Sequence, residues 1–419
     1  MSSIRSLSFK LYPSRAQRDR LWQKHCLLVD LWNAALEERI GAWRHGVHLR
    51  LSDQEKALKH IRVDVENWSG CVHSHEAQVV LKRLDRAFQN FFKRVRAGER
   101  SGFPRFRSRQ RFRGWGYKQH CNGFKVELGP GGRHGHVTLF GVGRMRMRGV
   151  ARTPGRILKA DVFRSARGWM LNVVVETDCA QREEAHGPAA GLDWGVSDFA
   201  TLANENGEYE AVANPRHLRG EMEELVEAQR RLSSAAKAKK VSLRSLQRHR
   251  KQLARRHAKI ASRRKDFLHK VSADLVARHR LIATERLDVG NMTRSAKGSK
   301  QCPGKNVAQK SGLNRAILDA APSNFLKMLR YKAEEAGVEF LEAPTRKLRP
   351  SQRCPDCGAQ KRKALSERQH ICECGCSLSR DEAAARVLLQ WGLTEEARLK
   401  SLGGDVDKAA GTVADQVSI

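Results

Sequence analysis

The sequence predicts an α+β multidomain chain. Short alternating strands dominate between Phe124 and Glu176, apolar strands and long helical repeats take turns after residue 188, and five of the ten cysteines crowd between Cys354 and Cys376. Each pattern needs its own buried surface, and at about 150 residues per domain a chain of 419 residues holds two or three domains. The charge balance narrows the partners. Lys and Arg number 79 against 45 Asp and Glu, a net +34, which is more than solubility asks for and is the footprint of a protein that binds a polyanion. Nucleic acid is the leading partner and a membrane surface the weaker one. No run of about 18 apolar residues exists and charges interrupt the start from Met1 to Pro13, so neither a membrane span nor a signal core is expected and the chain is placed inside the cell. Ten cysteines are too few for a disulfide scaffold of this length, which points to a reducing compartment and leaves Cys26, Cys71, Cys121, Cys179 and Cys302 as ordinary thiols.

Taken in order, Ser3 to Leu11 alternates as a strand does, and Pro13-Ser14 opens a helix carrying Leu21, Leu28, Leu31, Trp32, Leu36 and Ile40 at helical spacing. A second helix uses Val79, Leu81, Leu84, Phe88, Phe91 and Phe92 and stops near Gly98; the polar stretch between the two has no clear period. From Phe103 to Tyr117 cations alternate with rings, so that Arg105, Arg107, Arg109 and Arg111 could hold phosphates while Trp115 and Tyr117 stack bases; an edge strand with snorkelling arginines is the bland alternative. Strands are expected at Phe124 to Leu128, His136 to Phe140, Arg144 to Arg148, Ile157 to Arg164 and Trp169 to Glu176, and with the first strand they could close a small barrel. One of them sets Arg144, Arg146 and Arg148 on one face and two methionines on the other.

After a polar linker from Asp178 to Gly187, three strands follow: Ala189 to Gly195, Phe199 to Ala203 and Tyr209 to Val212, the last two joined by an Asn206-Gly207 turn. Residues 230 to 270 hold sixteen Lys and Arg and one acid, Asp266, over a seven-residue repeat of Leu246, Leu253, Ile260 and Phe267. Such a basic amphipathic helix repels itself unless neutralised, so Arg248, Lys251, Arg255, Arg256, Arg263, Arg264 and Lys265 are candidate nucleic-acid contacts. Leu281 to Glu285 reads as a buried strand, Thr293 to Gly312 as a mobile loop, and Leu313 to Leu329 as a helical stretch broken at Pro322. A strand at Val338 to Leu341, the cysteine cluster and a helix from Asp381 to Trp391 complete the order, with a frayed tail from Leu393 to Ile419.

Two constellations carry chemistry. Cys354-Pro-Asp-Cys357 and Cys372-Glu-Cys374 form two close pairs fourteen residues apart, the spacing of a zinc ribbon in which four thiolates hold one structural Zn²⁺. Cys376 could replace Cys372 or Cys374, and His370 suits an outer position better than a ligand's. The second constellation is spread out: Asp193 within an apolar strand, Glu285 at the end of another, and Asp381 at a helix start. An acid in an apolar strand is costly unless paired. Either separate ion pairs compensate these acids, or they converge on a site for two Mg²⁺ that activate water against a phosphodiester.

The order Gly-Leu-Asp193-Trp-Gly, Ala-Thr-Glu285-Arg-Leu, Cys-x-x-Cys ribbon and Arg-Asp381 resembles the RuvC-like nuclease domain of TnpB proteins, transposon-encoded relatives of type V CRISPR effectors. Tyr12-Pro13, Trp32-Asn33, Ala87-Phe-Gln-Asn-Phe-Phe92, Gly102-Phe-Pro-Arg-Phe106, Arg263-Arg-Lys-Asp-Phe-Leu-His269 and Leu313-Asn-Arg extend the likeness over nearly all of residues 1–392. The resemblance implies a wedge barrel over residues 1–13 and 103–180 with a helical recognition lobe over 14–102. It also implies an RNase H-like (RuvC) α/β nuclease domain over 188–350 and 378–392, with a zinc ribbon inserted at 351–377; the tail at 393–419, small and polar, is expected to be disordered. Asp193, Glu285 and Asp381 become Mg²⁺ ligands of an endonuclease that cuts double-stranded DNA matched to a bound guide RNA beside a short flanking motif. A prokaryotic cytoplasm, close to the nucleoid, follows; a monomer and a dimer on the nucleic acid are equally compatible with the sequence.

Two positions depart from the family pattern. The second cysteine pair has one intervening residue where many relatives have two, and Ala383 stands where the family often has Asn, so support for Asp381 is weaker. A nuclease-inactive, RNA-guided repressor and a guide-free zinc-ribbon DNA-binding protein are therefore the alternatives.

Overall fold

The computed structural model describes residues 2–64, 68–151, 155–178, 185–238, 242–299, 301–364 and 367–414. The chain divides into two units, Met1–Cys179 and Ala180–Ile419. Cys179 itself lies outside the described residues.

In the first unit, strand β1 (Ser2–Tyr12) runs into helix α1 (Arg15–Arg44) through Ser14, whose hydroxyl accepts from the Gln17 N–H while the Gln17 side chain accepts from the Ser14 N–H. Helices α2 (Leu51–Asp64) and α3 (Trp68–Cys71) occupy the stretch without a sequence period, and α4 (Ser74–Arg96) follows. The reason α2 is silent in the sequence is that it buries few apolar residues: Leu58 fully, Leu51 and Ile61 in part. By contrast α4 buries Ala77, Val80, Leu81, Leu84 and Phe88, one continuous helical stripe. Between α1 and α4 lies a buried ion pair, Lys24 Nζ to Glu76 Oε1 at 2.7 Å, and the same ammonium donates to the Phe140 carbonyl at 2.6 Å. Both charges are fully buried and hydrogen-bonded, the condition under which such a pair is tolerated.

Strands β2 (Trp115–Tyr117), β3 (Phe124–Leu128), β4 (Arg133–Leu139), β5 (Gly143–Val150), β6 (Arg156–Ser165) and β7 (Gly168–Asp178) join β1 in one antiparallel sheet of order β2-β6-β7-β1-β5-β4-β3. The edges β2 and β3 approach where the Tyr117 and Phe124 rings lie 5.2 Å apart, but the two strands share no ladder among the described residues. The sheet is thus curled without being closed by hydrogen bonds, short of the barrel the strand count suggests.

The second unit is a three-layer sandwich. Strands β8 (Ala189–Trp194), β9 (Asp198–Asn204) and β10 (Tyr209–Ala213) form an antiparallel meander. A hairpin of helices α5 (Met222–Lys237) and α6 (Leu243–Arg278) then leads to β11 (Leu281–Glu285), which returns parallel to β8. Helices α7 (Val289–Met292), α8 (Val307–Ala320) and α9 (Pro322–Ala336) precede β12 (Glu339–Ala343), parallel to β11, and the sheet order is β10-β9-β8-β11-β12. After α10 (Thr345–Leu348) come a ribbon with β13 (Gln369–Ile371) and β14 (Ser377–Ser379), and helix α11 (Arg380–Ala414). One face of the sheet, with Ala190, Leu192 and Ile282, packs on α6 and α9 through Leu268, Leu275, Phe325 and Leu329. The other, with Ala189, Leu281 and Ala283, packs on Leu389 of α11. Three expectations change: the basic stretch from Arg230 is split between α5 and α6, α8 begins at Val307 within the expected loop, and α11 continues to Ala414 through the segment expected to fray. No helix of the described residues is long and apolar enough to cross a membrane.

Candidate metal centres

Successive strand side chains point to opposite faces, so neighbours fix where each acid points. On β8, Ala189 packs with α11, and a Cβ on Gly191 would meet the Leu389 N of α11 at 2.4 Å. Asp193, two residues on, therefore faces α11. On β11 the α11-facing residues are Leu281 and Ala283, which puts Glu285 on the same face. The parallel ladder pairs Leu281 with Ala189, Ala283 with Gly191 and Thr284 with Leu192, so one step further brings Glu285 beside Asp193. Asp381 sits in the first turn of α11, which is fixed by a capping box: the Glu382 N–H donates to Ser379 Oγ at 3.2 Å and the Ser379 N–H to Glu382 Oε2 at 3.0 Å.

The electrostatics bear the marks of this convergence. Burial holds the Asp193 carboxyl well above the ordinary Asp range, the charges of Glu285 and Asp381 push it further, and Arg380 opposes them. Burial likewise raises Glu285. The three carboxylates thus share one field, although among the described residues their oxygens do not all lie within 4.8 Å of one another. A buried Asp193 carboxyl beside two further carboxylates and one guanidinium is a donor set that could hold a hard divalent cation, and all-oxygen ligands suit Mg²⁺. Arg380 is the residue that sequence reasoning missed; it neighbours Asp381 in the chain and also donates to the Ala364 carbonyl at 2.9 Å. Ser379-x-x-Glu382 is the local signal that fixes this helix start at Arg380, one residue before the expected one.

In the ribbon, the thiols of Cys354, Cys357, Cys372 and Cys374 all lie within 4.8 Å of one another, with Cys354 Sγ to Cys374 Sγ at 3.6 Å and Cys357 Sγ to Cys372 Sγ at 3.5 Å. Each pair ends in a turn with a left-handed glycine, Gly358 at φ 74° and Gly375 at φ 90°. Burial pushes the Cys354 thiol up, yet backbone N–H groups and the His370 ring more than offset it and bring it to about 5. Four soft ligands so placed could hold one Zn²⁺. Cys354 also groups within 4.8 Å with His370 and Cys376, so the fifth cysteine is a geometric alternative at the same corner. His370 is buried, its Nδ1 bonded to Lys363.

The expected nucleic-acid residues divide sharply. Trp115 and Tyr117 are 0% and 1% exposed and belong to the core of the first unit, so they are corrected out of the base-stacking set: β2 is too well covered for either ring to meet a base. Residues 103–113 are not a strand but are strapped along α1. His25 Nε2 lies 2.7 Å from the Arg109 carbonyl, Trp32 Nε1 donates to that of Arg105 and Asn33 Nδ2 to that of Arg107. Arg105, Arg107, Arg109 and Arg111 are exposed on this strap. Arg144, Arg146 and Arg148 alternate with buried Met145 and Met147 as expected, Arg144 bonding to Glu127 at 3.0 Å. On α6, Arg263 pairs with Glu221 at 2.7 Å, Arg264 with Asp319 at 2.5 Å and Arg256 with Glu224. Part of the basic repeat is therefore neutralised within the chain. Arg248, Lys251, Arg255 and Lys265 have no ion-pair partner among the described residues.

Two family models match the chain. OrfB_IS605, described as "Probable transposase", matches residues 172–296, and the Cas12f1-like TNB domain matches residues 323–388. A curated protein of Escherichia coli (strain K12), "Putative RNA-guided DNA endonuclease InsQ", is 32% identical over 72% of this chain and 69% of its own length. A Streptomyces pristinaespiralis protein, "Putative RNA-guided DNA endonuclease", is 30% identical over 94% of this chain and 90% of its own length. The chain belongs to the TnpB family. A "TnpB-like protein L79" of Acanthamoeba polyphaga mimivirus matches more distantly, at 26% identity over 49% of this chain and 37% of its own length. In this TnpB-family chain the first family model spans the strands of Asp193 and Glu285, and the second spans the ribbon and Asp381.

Proposed function

We propose that this TnpB-family protein is an RNA-guided DNA endonuclease, in which Asp193, Glu285 and Asp381 of an RNase H-like domain hold two Mg²⁺ and the ribbon holds one structural Zn²⁺ through Cys354, Cys357, Cys372 and Cys374. The observation that carries the reading is the field at Asp193, whose carboxyl is raised by burial and by the negative charges of Glu285 and Asp381. Bound Mg²⁺ would supply a water made nucleophilic near neutral pH and neutralise charge on the phosphodiester. The chain's own part is to fix the acids on two adjacent strand ends and one capped helix start, exclude water behind them, and balance their charge with Arg380. Its named relatives support RNA guidance, in which a guide RNA pairs with double-stranded target DNA and the protein senses backbone shape and a flanking motif. The exposed arginines of the strap, of β5 and of α6 would serve those backbones.

With guide RNA, Mg²⁺ and a matched, flanked target, the wild-type chain should cut both strands. Asp193→Ala should lose cleavage and keep the shifted band of the bound complex; unchanged cleavage by that variant overturns the site. A second reading, guided binding without cutting, is favoured by one observation: Ala383, two residues after Asp381, is 1% exposed and offers no polar group to the carboxylate. A wild-type complex that binds the matched target and leaves it intact in Mg²⁺ would decide for it.

A further inference from the structure

The turn that follows Asp193 borders a cavity of about 380 Å³ that the carboxylate site does not use. Its walls come from three places: Val196 and Ser197 of the β8–β9 turn, the segment after β10 from Asn214 to Met222, and the Gly312 to Asp319 face of α8. They are tied to one another. Asn214 Nδ2 donates to the Val196 carbonyl at 2.8 Å, the Leu218 N–H donates to Asp319 Oδ2 at 2.8 Å, and Arg216 holds a left-handed backbone at φ 45°, a conformation that costs energy and persists where its surroundings enforce it.

The lining has two characters. Val196, Leu218, Met222 and Ala316 make it apolar, while Arg216, Arg219 and Arg315 bring three guanidinium groups with no ion-pair partner among the described residues. Asp319, the one carboxylate among the described lining residues, is already engaged by Arg264 at 2.5 Å and by the Leu218 N–H, so it does not oppose an anion. Among the described residues no aromatic side chain lines the cavity. An apolar hollow of this size beside three cations matches a planar, uncharged ring joined to a phosphate.

We propose that this cavity takes a single unstacked nucleotide of the DNA strand, its base against the apolar residues and its flanking phosphates on Arg216, Arg219 and Arg315. The inference rests on the proposed function, since that reading supplies the DNA strand. Drawing one base out of the stack would hold that strand against sliding.

The test uses the full chain without added Mg²⁺ and a single-stranded oligothymidylate carrying one central 2-aminopurine. That base fluoresces when unstacked, and a cavity with no ring does not quench it. Binding to wild type should raise the emission several-fold. Ala316→Leu, which fills the hollow, and Arg315→Ala, an exposed charge whose loss leaves the core intact, should each remove most of the rise, while strand affinity read by anisotropy stays within about threefold, the loss of roughly one phosphate contact. A wild-type rise retained in Arg315→Ala and in a folded Ala316→Leu, or no rise in wild type, overturns the proposal. The readout needs no cleavage, so an inactive carboxylate site and an unused cavity give different results.

Discussion

Helix α11 passes so close to β8 that a Cβ on Gly191 would lie 2.0 Å from the Ala385 carbonyl oxygen. Gly191 therefore sets how near the helix bearing Asp381 comes to the strand bearing Asp193. Gly191→Ala must push backbone against backbone, which no rotamer change relieves. The expected cost is about 1–3 kcal/mol, seen as a melting temperature lower by about 2–4 °C per kcal/mol. Cleavage should fall further than stability, because the displacement is transmitted to Asp381. Full cleavage with an unchanged melting curve would contradict the close approach.

Asp193 makes a prediction of opposite sign. An acid whose folded pKa is raised binds more protons when folded than when unfolded, so its contribution favours the folded state below its unfolded value, about 3.9, and is lost as pH rises through the raised folded value. Asp193→Asn should remove that loss. Without added divalent metal the variant should melt a few degrees above wild type at neutral pH, on the order of 1 kcal/mol, and the gap should narrow on acidification. The same variant should not cut DNA. A variant less stable than wild type at neutral pH would mean that the carboxylate is neutralised by the chain alone.

The five ribbon cysteines separate by metal content. Cys374→Ser should lose most of its zinc, and Cys376→Ser should keep about one equivalent, read by elemental analysis of the purified chain. The reverse pattern would assign the alternative corner of Cys354, His370 and Cys376. Chelation should unfold the ribbon if a metal held by those thiols organises it, and an unchanged ribbon would remove the metal from its folding.

On α6 the paired and unpaired cations should behave differently. Replacing Lys251 or Arg255 by Ala should reduce the slope of log affinity against log salt by about 1 each with little change in melting. Arg263→Ala breaks its bond to Glu221 and should instead loosen the α5–α6 hairpin, lowering the melting temperature more than the slope. Equal salt slopes for all three variants would remove the distinction.

Much of this molecule was legible in one dimension because its signals are periodic or local. Strand β5 alternates Arg and Met, so its two faces are written in the sequence, and α4 carries its buried stripe at helical spacing. The ribbon pairs are legible because a pair of cysteines with one or two residues between them, repeated fourteen residues on, is a local spacing that could serve one ion. Helix α2 was not, since it buries few apolar residues. Trp115 and Tyr117 were misread because a ring among arginines has the same composition whether it faces solvent or core, and only the packing of α4 over β2 decides.

The sequence by itself determined the chemistry on offer: three acids in apolar or capped settings, a cysteine ribbon and an excess of cations. Only the tertiary structure decided that Asp193 and Glu285 share a face, because that depends on the register between two strands separated by the whole α5–α6 hairpin. It also decided which cations remain available to a partner. Glu221, Glu224 and Asp319 neutralise Arg263, Arg256 and Arg264 from other elements, and no local pattern records a contact made across the fold.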